Sequence, residues 1–205
     1  MFIAIFLGLL LGGGAAVLFS KIPGIGLRQA HRIAFWFLKK DIHAYSLALK
    51  GLADNVVVCQ QCFFVFEKEP AGNAATCQIC RDPKRDSKTL AIVEKETDLI
   101  TFEKTKKYNG LYFILGGLFS PSGKNGSEIR LQELLQRIKN DAKLSEIILA
   151  LSHTAEGDLT VMELEKIFSQ FKNLKLTRLG LGLPRGAEVE FADEDTLGNA
   201  IERRK

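Results

Sequence analysis

The sequence predicts an α/β protein built from several modules in series, and three observations support this. Four cysteines within residues 59–80 form two C-x2-C pairs, which indicate a small metal-binding module. A Pro-Gly-Ile-Gly turn at 23–26 precedes an amphipathic helix, as in a helix-hairpin-helix. From residue 89 onward, strand-like and helix-like segments alternate, which predicts a parallel sheet covered by helices. The 205 residues suffice for one medium domain or a few small modules.

The composition is that of an ordinary globular protein, with 46% hydrophobic and 25% charged residues. The formal net charge of +4 is too small to establish a nucleic-acid partner by itself. The local distribution is more informative, because residues 21–50 contain six Lys or Arg and a single acid, Asp41. This segment is therefore the candidate surface for an anionic partner.

The first 19 residues carry no charge and include three consecutive glycines, residues 12–14. Their length is near the lower limit for a bilayer-spanning helix. A secretory signal would require a positive residue before the apolar run, and none is present. Each glycine also weakens a helix by about 1 kcal/mol relative to alanine. Three interpretations stay open: a membrane tether through residues 1–19, a helix packed against partner subunits, and an atypical or wrongly assigned start.

Residues 18–55 are predicted to contain the helix-hairpin-helix. Pro23, Gly24 and Gly26 form a tight hairpin, and an amphipathic helix follows it. The apolar positions of that helix are Ala30, Ile33, Ala34, Phe37 and Leu38. Residues 42–55 are predicted to form a second amphipathic helix, which leads into a short strand of three valines.

The hairpin and the helix after it form a candidate phosphate-binding site. Glycines allow close approach of the backbone to a phosphate, and the N–H groups that begin the next helix are free to bind it. Arg28 and Arg32 are four residues apart, so both lie on one helical face and can reach the same sugar–phosphate backbone. The candidate DNA-binding residues are Lys21, Gly24, Gly26, Arg28 and Arg32. The alternative is a packing turn with solvated arginines, but the combined pattern is more specific than a lone glycine pair.

Residues 56–86 are predicted to form a four-cysteine zinc finger. The only cysteines of the chain are Cys59, Cys62, Cys77 and Cys80. Two C-x2-C turns separated by fourteen residues present four thiolates to one tetrahedral Zn²⁺, and four protein ligands indicate a structural ion. Disulfides within the pairs are the alternative, although these are more typical of redox sites or short, cysteine-dense secreted scaffolds. The aromatic side chains expected to form the small core of the module are Phe63, Phe64 and Phe66.

Four strands alternating with three helices are predicted beyond the cysteines. The strands are 89–94, 111–115, 145–151 and 175–180, and the helices extend to about Lys107, over 127–138 with Ser127 as N-cap, and over 157–171. Ligands of parallel sheets bind at the carboxyl ends of the strands. Glu94, Glu156 and Asp158 lie at or just beyond such ends, so these three carboxylates could converge.

From about Leu18 to the C-terminus, these motifs resemble a known family, the bacterial RecR recombination mediators. The matching segments are K-I-P-G-I-G, the cysteine run through Asp86, A-I-V-E (91–94), L-G-G-x-x-S-P (115–121), E-G-D (156–158) and G-L-P-R-G-x-x-x-E-F-A-D-E-x-T-L (182–197). The order of modules that the resemblance implies is an atypical apolar segment (1–17), a helix-hairpin-helix (18–55), a C4 zinc finger (56–86), a Toprim domain (87–180) and a C-terminal helical segment (181–205).

The resemblance also implies a function. Members of the family are non-enzymatic scaffolds that form a ring-like homo-oligomer, a dimer or tetramer, and hold single-stranded, duplex or gapped DNA. They act with RecO and RecF to promote RecA loading in the cytoplasm, at the nucleoid. By the same resemblance, Arg28 and Arg32 are the basic positions after the hairpin and the four cysteines are the zinc ligands. Glu94, Glu156 and Asp158 are acidic Toprim positions that bind a partner or weakly bind Mg²⁺.

Two departures from the expected patterns affect these implications. Catalytic Toprim enzymes end their third strand in D-x-D, where this chain has Ser152, His153 and Thr154. Two hard oxygen ligands for Mg²⁺ are therefore missing, which argues against a Toprim nuclease or primase. The family also has a charged amphipathic helix at the start, where residues 1–17 are wholly apolar. The alternatives are thus a Mg²⁺-dependent phosphoryl-transfer enzyme and a membrane-tethered DNA-binding protein.

Overall fold

The computed structural model describes residues 14–68, 75–121, 129–180, 182–202 and 204. The chain divides into two compact units, Met1–Val56 and Val57–Lys205. The expected multi-module α/β architecture is confirmed, with N-terminal helices, a four-cysteine module and a parallel four-stranded sheet. Among the described residues, no helix combines the length and the apolar character needed to cross a bilayer. The apolar segment 1–17 lies mostly outside the described residues.

The N-terminal unit is helical. Residues 14–19 are the described part of α1, α2 spans Leu27–Phe37, and α3 spans Ile42–Asn55 as predicted. Ala16 packs with Ala30 and Ala34 in a small cluster between α1 and α2. The apolar face of α2 predicted from the sequence is thus buried at its two alanines. The last predicted position of that face, Leu38, is 70% exposed because the helix ends one residue before it.

The second unit begins with the cysteine module. Strands β1 (Val56–Val58) and β2 (Val65–Glu67) pair in a two-stranded sheet, and the short helix α4 (Gln78–Arg81) follows. The predicted strand of three valines is confirmed as β1. The C-terminal helical segment is also confirmed, as a 3-10 turn at Val189–Phe191 and helix α8 at Glu194–Glu202.

The parallel sheet has the strand order β4-β3-β5-β6. The strands are β3 (Asp86–Val93), β4 (Gly110–Ile114), β5 (Glu146–Leu149) and β6 (Lys175–Arg178). The helices between them are α5 (Glu96–Thr105), α6 (Leu131–Asn140) and α7 (Ala155–Phe168). Strands that are buried on both faces have continuous apolar runs, as in Leu90–Val93.

Alternate residues of β3 and β4 enter two separate cores. Leu90 and Ile92 pack with α6 and α7 on one face of the sheet. Ala91 and Val93 pack on the other face with Leu99 of α5. The sheet is therefore covered on both sides, which is the layered arrangement that the alternation of strands and helices predicted.

The bounds of two helices differ from the sequence prediction. Helix α6 begins at Leu131 rather than near 127, because the Arg130 backbone is not helical, at φ −86° and ψ 51°, and its N–H donates to the Leu115 carbonyl at 2.9 Å. The predicted N-cap, Ser127, lies outside the described residues. Helix α7 begins at Ala155, two residues earlier than predicted, because the Thr154 hydroxyl accepts a hydrogen bond from the Gly157 N–H at 3.1 Å.

Candidate metal centre and nucleic-acid interface

The four cysteines converge on one point. Their Sγ atoms all lie within 4.8 Å of one another, and those of Cys62 and Cys77 are 3.5 Å apart. All four are free thiols, so the disulfide alternative is wrong. Four sulfur donors at these separations suit a tetrahedral ion with metal–sulfur distances of about 2.3 Å. Within the described ranges, this is the only group of three or more side chains that could hold a metal.

Tight turns fix the positions of the sulfur atoms. In the first turn, the Cys59 N–H donates to the Phe64 carbonyl at 2.9 Å and the Phe63 N–H donates to the Cys59 carbonyl at 3.0 Å. The turn places Phe63 in the left-handed region, at φ 64°. The backbone N–H of Cys77 reaches across to the Cys59 sulfur at 3.3 Å. The two halves of the module are therefore joined through the ligand atoms.

The close approach of the thiols shifts their pKa values in opposite directions. Hydrogen bonds from the thiols of Cys62, Cys77 and Cys80 lower the pKa of Cys59 well below its usual range. Hydrogen bonds with the same three neighbours, Cys59 first, raise the pKa of Cys80. The cluster thus holds a thiolate readily, and the thiolate is the form that binds a metal ion.

The cysteine module packs on the outer edge of the sheet at strand β4. The Ile114 N–H donates to the Cys62 carbonyl at 2.9 Å. The Arg137 guanidinium donates to the carbonyls of Gln61, at 2.6 Å, and Tyr112, at 2.8 Å. Exposed strand edges favour unwanted pairing. Here the edge groups of β4 are instead satisfied by the module and by an arginine of α6.

The aromatic residues of the module have two different roles. Phe64 and Phe66 pack around the cysteines, as predicted for a small module core. Phe63 instead joins the sheet core, with its ring centroid 5.4 Å from that of Phe113. The Arg130 guanidinium lies 4.9 Å from the Phe63 centroid, a cation–π distance. The expectation that Phe63 belongs to the small module core is therefore corrected, and Phe64 packs against the sheet core around Ala91 as well as against the cysteines.

A partly buried ion pair lies at the other end of β4. Arg85 donates to both carboxylate oxygens of Glu103 and to the Gly110 carbonyl. The Tyr112 hydroxyl donates to Glu103 at 2.6 Å. Burial would raise the pKa of Glu103, but the hydrogen bonds from Arg85 and Tyr112 outweigh it and hold that pKa below its ordinary value. Arg85, like Arg130 and Arg137, therefore stabilises the edge of the sheet.

The hairpin of the N-terminal unit is a β-turn. The Ile25 N–H donates to the Ile22 carbonyl at 3.0 Å, with Pro23 at the second position and Gly24 at the third. Gly24 has φ +81°, as a type II turn requires of its third residue. Gly26 is the N-cap of α2 and supplies no side-chain hydrogen bond to its first turn. The backbone N–H groups of the first turn of α2 thus lie at its N-terminus, the end of a helix that favours anions.

The predicted basic residues of this unit are exposed. Lys21 lies in the turn, and Arg28 and Arg32 lie one turn apart on α2. The sequence has no Asp or Glu between Lys21 and Lys40. Residues 21–40 therefore present exposed basic side chains within one compact unit, and no acid interrupts them along this stretch of the chain.

The acidic residues do not assemble in the same way. Glu94 follows β3, whereas Glu156 and Asp158 belong to the first turn of α7. They form no metal-binding group of three in the part of the chain that the structure describes. The Asp158 carboxylate instead lies 3.6 Å from His153 Nδ1 and 4.0 Å from Arg178 Nη1. Its ion-pair partners are therefore a histidine and an arginine.

The glycine of the E-G-D motif has a packing role. A Cβ atom at Gly157 would collide with the Ser152 carbonyl oxygen, so only glycine lets α7 start this close to the end of β5. Thr154, which stands near the place of the missing acidic D-x-D, caps the same helix. The local sequence therefore builds a helix start where a catalytic relative would place metal ligands.

Comparisons with known proteins agree with this architecture. The family model described as "Toprim domain" matches residues 88–180. The chain is 40% identical over 190 residues to "Recombination protein RecR" of Clavibacter michiganensis subsp. michiganensis, covering 91% of this chain and 92% of that protein. It is 37% identical over 190 residues to the protein of the same name from Synechococcus elongatus, covering 91% of each. The Bifidobacterium adolescentis protein of that name is 37% identical over 191 residues, covering 91% of this chain and 92% of that protein.

Proposed function

The chain belongs to the RecR family of recombination proteins, and on this premise we propose that it is a non-enzymatic DNA-binding scaffold of recombinational repair. It acts with RecO and RecF to promote RecA loading on gapped or single-stranded DNA. The observation that best supports DNA binding is the exposed pair Arg28 and Arg32 on α2 after the glycine turn, in a stretch, residues 21–40, that contains no acid. This stretch lies in the N-terminal unit, separate from the Toprim match.

DNA is held through its phosphates in this proposal. Lys21, Arg28 and Arg32 are exposed, and neither Gly24 nor Gly26 carries a side chain that would keep a phosphate from the first turn of α2. Phosphate contacts of this kind give affinity without sequence information. The affinity should therefore fall steeply with salt and vary little with base sequence.

The four-cysteine module holds a structural Zn²⁺. Four thiolates leave no open coordination position for a water nucleophile. The ligand Cys62 is adjacent to the carbonyl that pairs with β4, so the ion stabilises the edge of the sheet as well as the module. The scaffold assignment is supported by the sequence, because Ser152, His153 and Thr154 stand where catalytic Toprim enzymes carry the D-x-D carboxylates of a two-metal site.

Assembly into a closed homo-oligomer, a dimer or tetramer, is part of the proposal. Large apolar side chains stand exposed on α3, such as Leu47 at 70%, and in the C-terminal segment, such as Phe191 at 79%. Such surfaces are typical of protein–protein contacts. Light scattering after gel filtration of the full chain is the direct measurement, and a monomer at all concentrations would contradict this part.

The test of DNA binding is a salt series. Fluorescence anisotropy with labelled single-stranded, duplex and gapped DNA gives the affinity and its salt slope. We expect Arg28→Ala with Arg32→Ala to weaken binding to every sequence by at least about tenfold. The slope on single strands should shrink by roughly 1.4, since each lost phosphate contact contributes about 0.7.

A charge-matched control separates the site from net charge. Lys104→Ala with Lys107→Ala removes two exposed cations, one in α5 and one just after it, from the second unit, Val57–Lys205, here called the sheet unit. We expect this double variant to change the affinity by less than about twofold. Equal weakening by both double variants would contradict the assignment of the hairpin surface. Mg²⁺-dependent nicking that is lost in Glu94→Gln would instead favour the enzyme alternative.

A further inference from the structure

Trp36 continues the basic face of α2. Arg28, Arg32, Trp36 and Lys40 follow one another at intervals of four residues, so they lie along one side of the helix and its C-terminal end. Trp36 is 44% exposed although it is the largest apolar side chain of the unit. It lies among cations in a stretch of chain, residues 21–40, that contains no acid.

The indole ring is held in place by its neighbours. Its centroid lies 5.2 Å from that of Phe37 and 5.5 Å from that of Tyr45, both in edge-on arrangements. The Lys40 ammonium lies 5.9 Å from the ring centroid. Edge-to-face contacts hold aromatic rings in defined orientations. The ring is therefore held by its neighbours, and 44% of the residue stays exposed to solvent.

A shallow, solvent-open depression of about 430 Å³ lies beside the ring. Its lining residues are Gln29, Arg32, Ile33 and Trp36. Because the depression is open to solvent, an unpaired nucleotide can reach the ring from the surface. One guanidinium, one amide and one indole line it together. That set provides a cation for a phosphate, donors and acceptors for a base edge, and an aromatic surface for a base.

We propose that Trp36 is a base-stacking site for single-stranded DNA, with Arg32 and Lys40 holding the phosphates on either side of the stacked nucleotide. The inference rests on the proposed function, because it extends the phosphate contacts of Arg28 and Arg32 along the same helix. An unpaired base can rotate onto the indole, whereas the bases of a duplex are stacked on one another and cannot. Trp36 thus favours single strands over duplex, while the arginines bind both.

The charge of the surface identifies the occupant. Five Lys or Arg and no acid lie between Lys21 and Lys40, so the surface complements a polyanion. Aromatic side chains interleaved with cations are the usual means by which single-stranded nucleic acid is bound without sequence preference. A second copy of this chain that covered Trp36 would have to bring acids to the same face. That alternative is an outcome of the test below.

The chain offers a direct probe, because Trp36 is its only tryptophan. Intrinsic fluorescence of the full-length protein is titrated with oligothymidylate and with a length-matched abasic oligonucleotide that has the same phosphates but no bases. We expect oligothymidylate to quench the emission and the abasic strand to bind without comparable quenching. Binding of oligothymidylate with unchanged emission would overturn the stacking proposal and leave DNA binding intact.

Two substitutions at this position separate stacking from bulk. Trp36→Leu keeps an apolar side chain without an aromatic face, and we expect it to weaken oligothymidylate binding about tenfold, a typical effect of losing one base–aromatic stack. Trp36→Phe keeps an aromatic face and should lose less than about threefold. Neither should change the affinity for duplex DNA. Phe35→Leu is the matched control, because Phe35 is 55% exposed on the same helix but is not in line with Arg28, Arg32 and Trp36.

The outcomes distinguish this inference from the proposed function. Equal loss in the Leu and Phe variants, or equal loss on single strands and duplex, would overturn stacking while the arginine surface still bound DNA. Absence of binding to every DNA by the wild-type protein would overturn both. Emission that shifts with protein concentration and is insensitive to DNA would assign Trp36 to a contact between subunits and overturn the inference alone.

Discussion

The N-terminal unit and the sheet unit differ in how much apolar surface they bury. Ala91, Ile92 and Val93 at the centre of the sheet are fully buried, and helices cover both faces. In the N-terminal unit, α3 has no buried residue and α2 buries only two alanines. Since buried apolar area is the main source of stability, the sheet unit supplies most of it. The N-terminal unit instead leaves basic and apolar surface available to partners.

Side-chain hydrogen bonds follow the same division. In the sheet unit, beside local bonds, several join residues far apart in sequence, as between Arg137 and Gln61 or between Arg85 and Glu103. In the described part of the N-terminal unit they are local, as in the bond from the His43 N–H to Asp41. Long-range bonds tie elements together, whereas local bonds only shape one helix end. Changes in the sheet unit should therefore alter stability, and changes in the N-terminal unit should mainly alter binding.

The largest expected effect is loss of the metal. Cys77→Ser removes one of four ligands, and because metal-binding free energy is also folding free energy, we expect a loss on the order of 5 kcal/mol. Thermal unfolding followed by circular dichroism, with zinc measured by mass spectrometry, tests this. The control is the wild-type protein treated with a strong chelator, whose melting temperature should fall and then recover when Zn²⁺ is added. An unchanged melting curve in zinc-free protein would contradict a structural ion.

The next effect concerns the tight start of α7. Gly157→Ala places a Cβ against the Ser152 carbonyl, and since backbone cannot move aside easily, we expect a loss of about 2 kcal/mol or more. Gly198→Ala is the matched control within α8, where an added Cβ meets nothing within 4 Å. There the gain in helix propensity should leave stability unchanged or raise it by up to about 1 kcal/mol. Equal melting temperatures for the two variants would refute the packing role of Gly157.

The Arg85–Glu103 ion pair makes a smaller contribution to the free energy of unfolding, and that contribution has a defined pH dependence. Glu103→Gln leaves the Arg85 guanidinium, whose side chain is 12% exposed, without its carboxylate, so we expect a loss of about 2 kcal/mol near neutral pH. Because the pKa of Glu103 is held below its ordinary 4.5, this contribution is present above that value. It disappears as the pH falls through the lower, folded-state pKa.

Denaturant unfolding of the wild type and the Glu103→Gln variant at several pH values measures this difference. The two stabilities should converge at acid pH, and a gap that stayed constant from pH 7 downward would exclude the ion pair as its source. Glu163→Gln is the matched control, because its partner Lys166 lies three residues away on the exposed face of α7. An exposed pair of this kind is worth less than about 1 kcal/mol.

The sequence predicted the local features well. The cysteine cluster follows from spacing, because a C-x2-C turn places two sulfurs side by side whatever surrounds it. The hairpin was equally predictable, since Pro23 and Gly24 have the backbone angles of one turn type. The strands of the sheet were found because runs such as Leu90–Val93 are apolar throughout, as strands buried on both faces must be.

Contacts between distant segments were not predictable in the same way. Arg130 and Arg137 appeared as ordinary basic residues of a helix, yet they bind backbone carbonyls of β4 and of the cysteine module. No periodicity marks a side chain that will meet an unpaired strand edge. The convergence of Glu94, Glu156 and Asp158 is a prediction of another kind. Strand ends indicate which carboxylates lie near one edge of the sheet, but side-chain placement on α7 decides which of them meet, and among the described residues the three form no metal-binding group.

The smallest effect lies at the start of α3, where the comparison of the two units is sharpest. Asp41→Ala removes the acceptor for the His43 N–H, 3.0 Å away, and should cost about 1 kcal/mol. Asp41→Asn keeps an acceptor and should be nearly neutral. Thr154→Ala removes the equivalent cap of α7 in the sheet unit. Since α3 has no buried residue to hold it, hydrogen exchange should accelerate along the first turns of α3 in Asp41→Ala, whereas α7 should stay protected in Thr154→Ala.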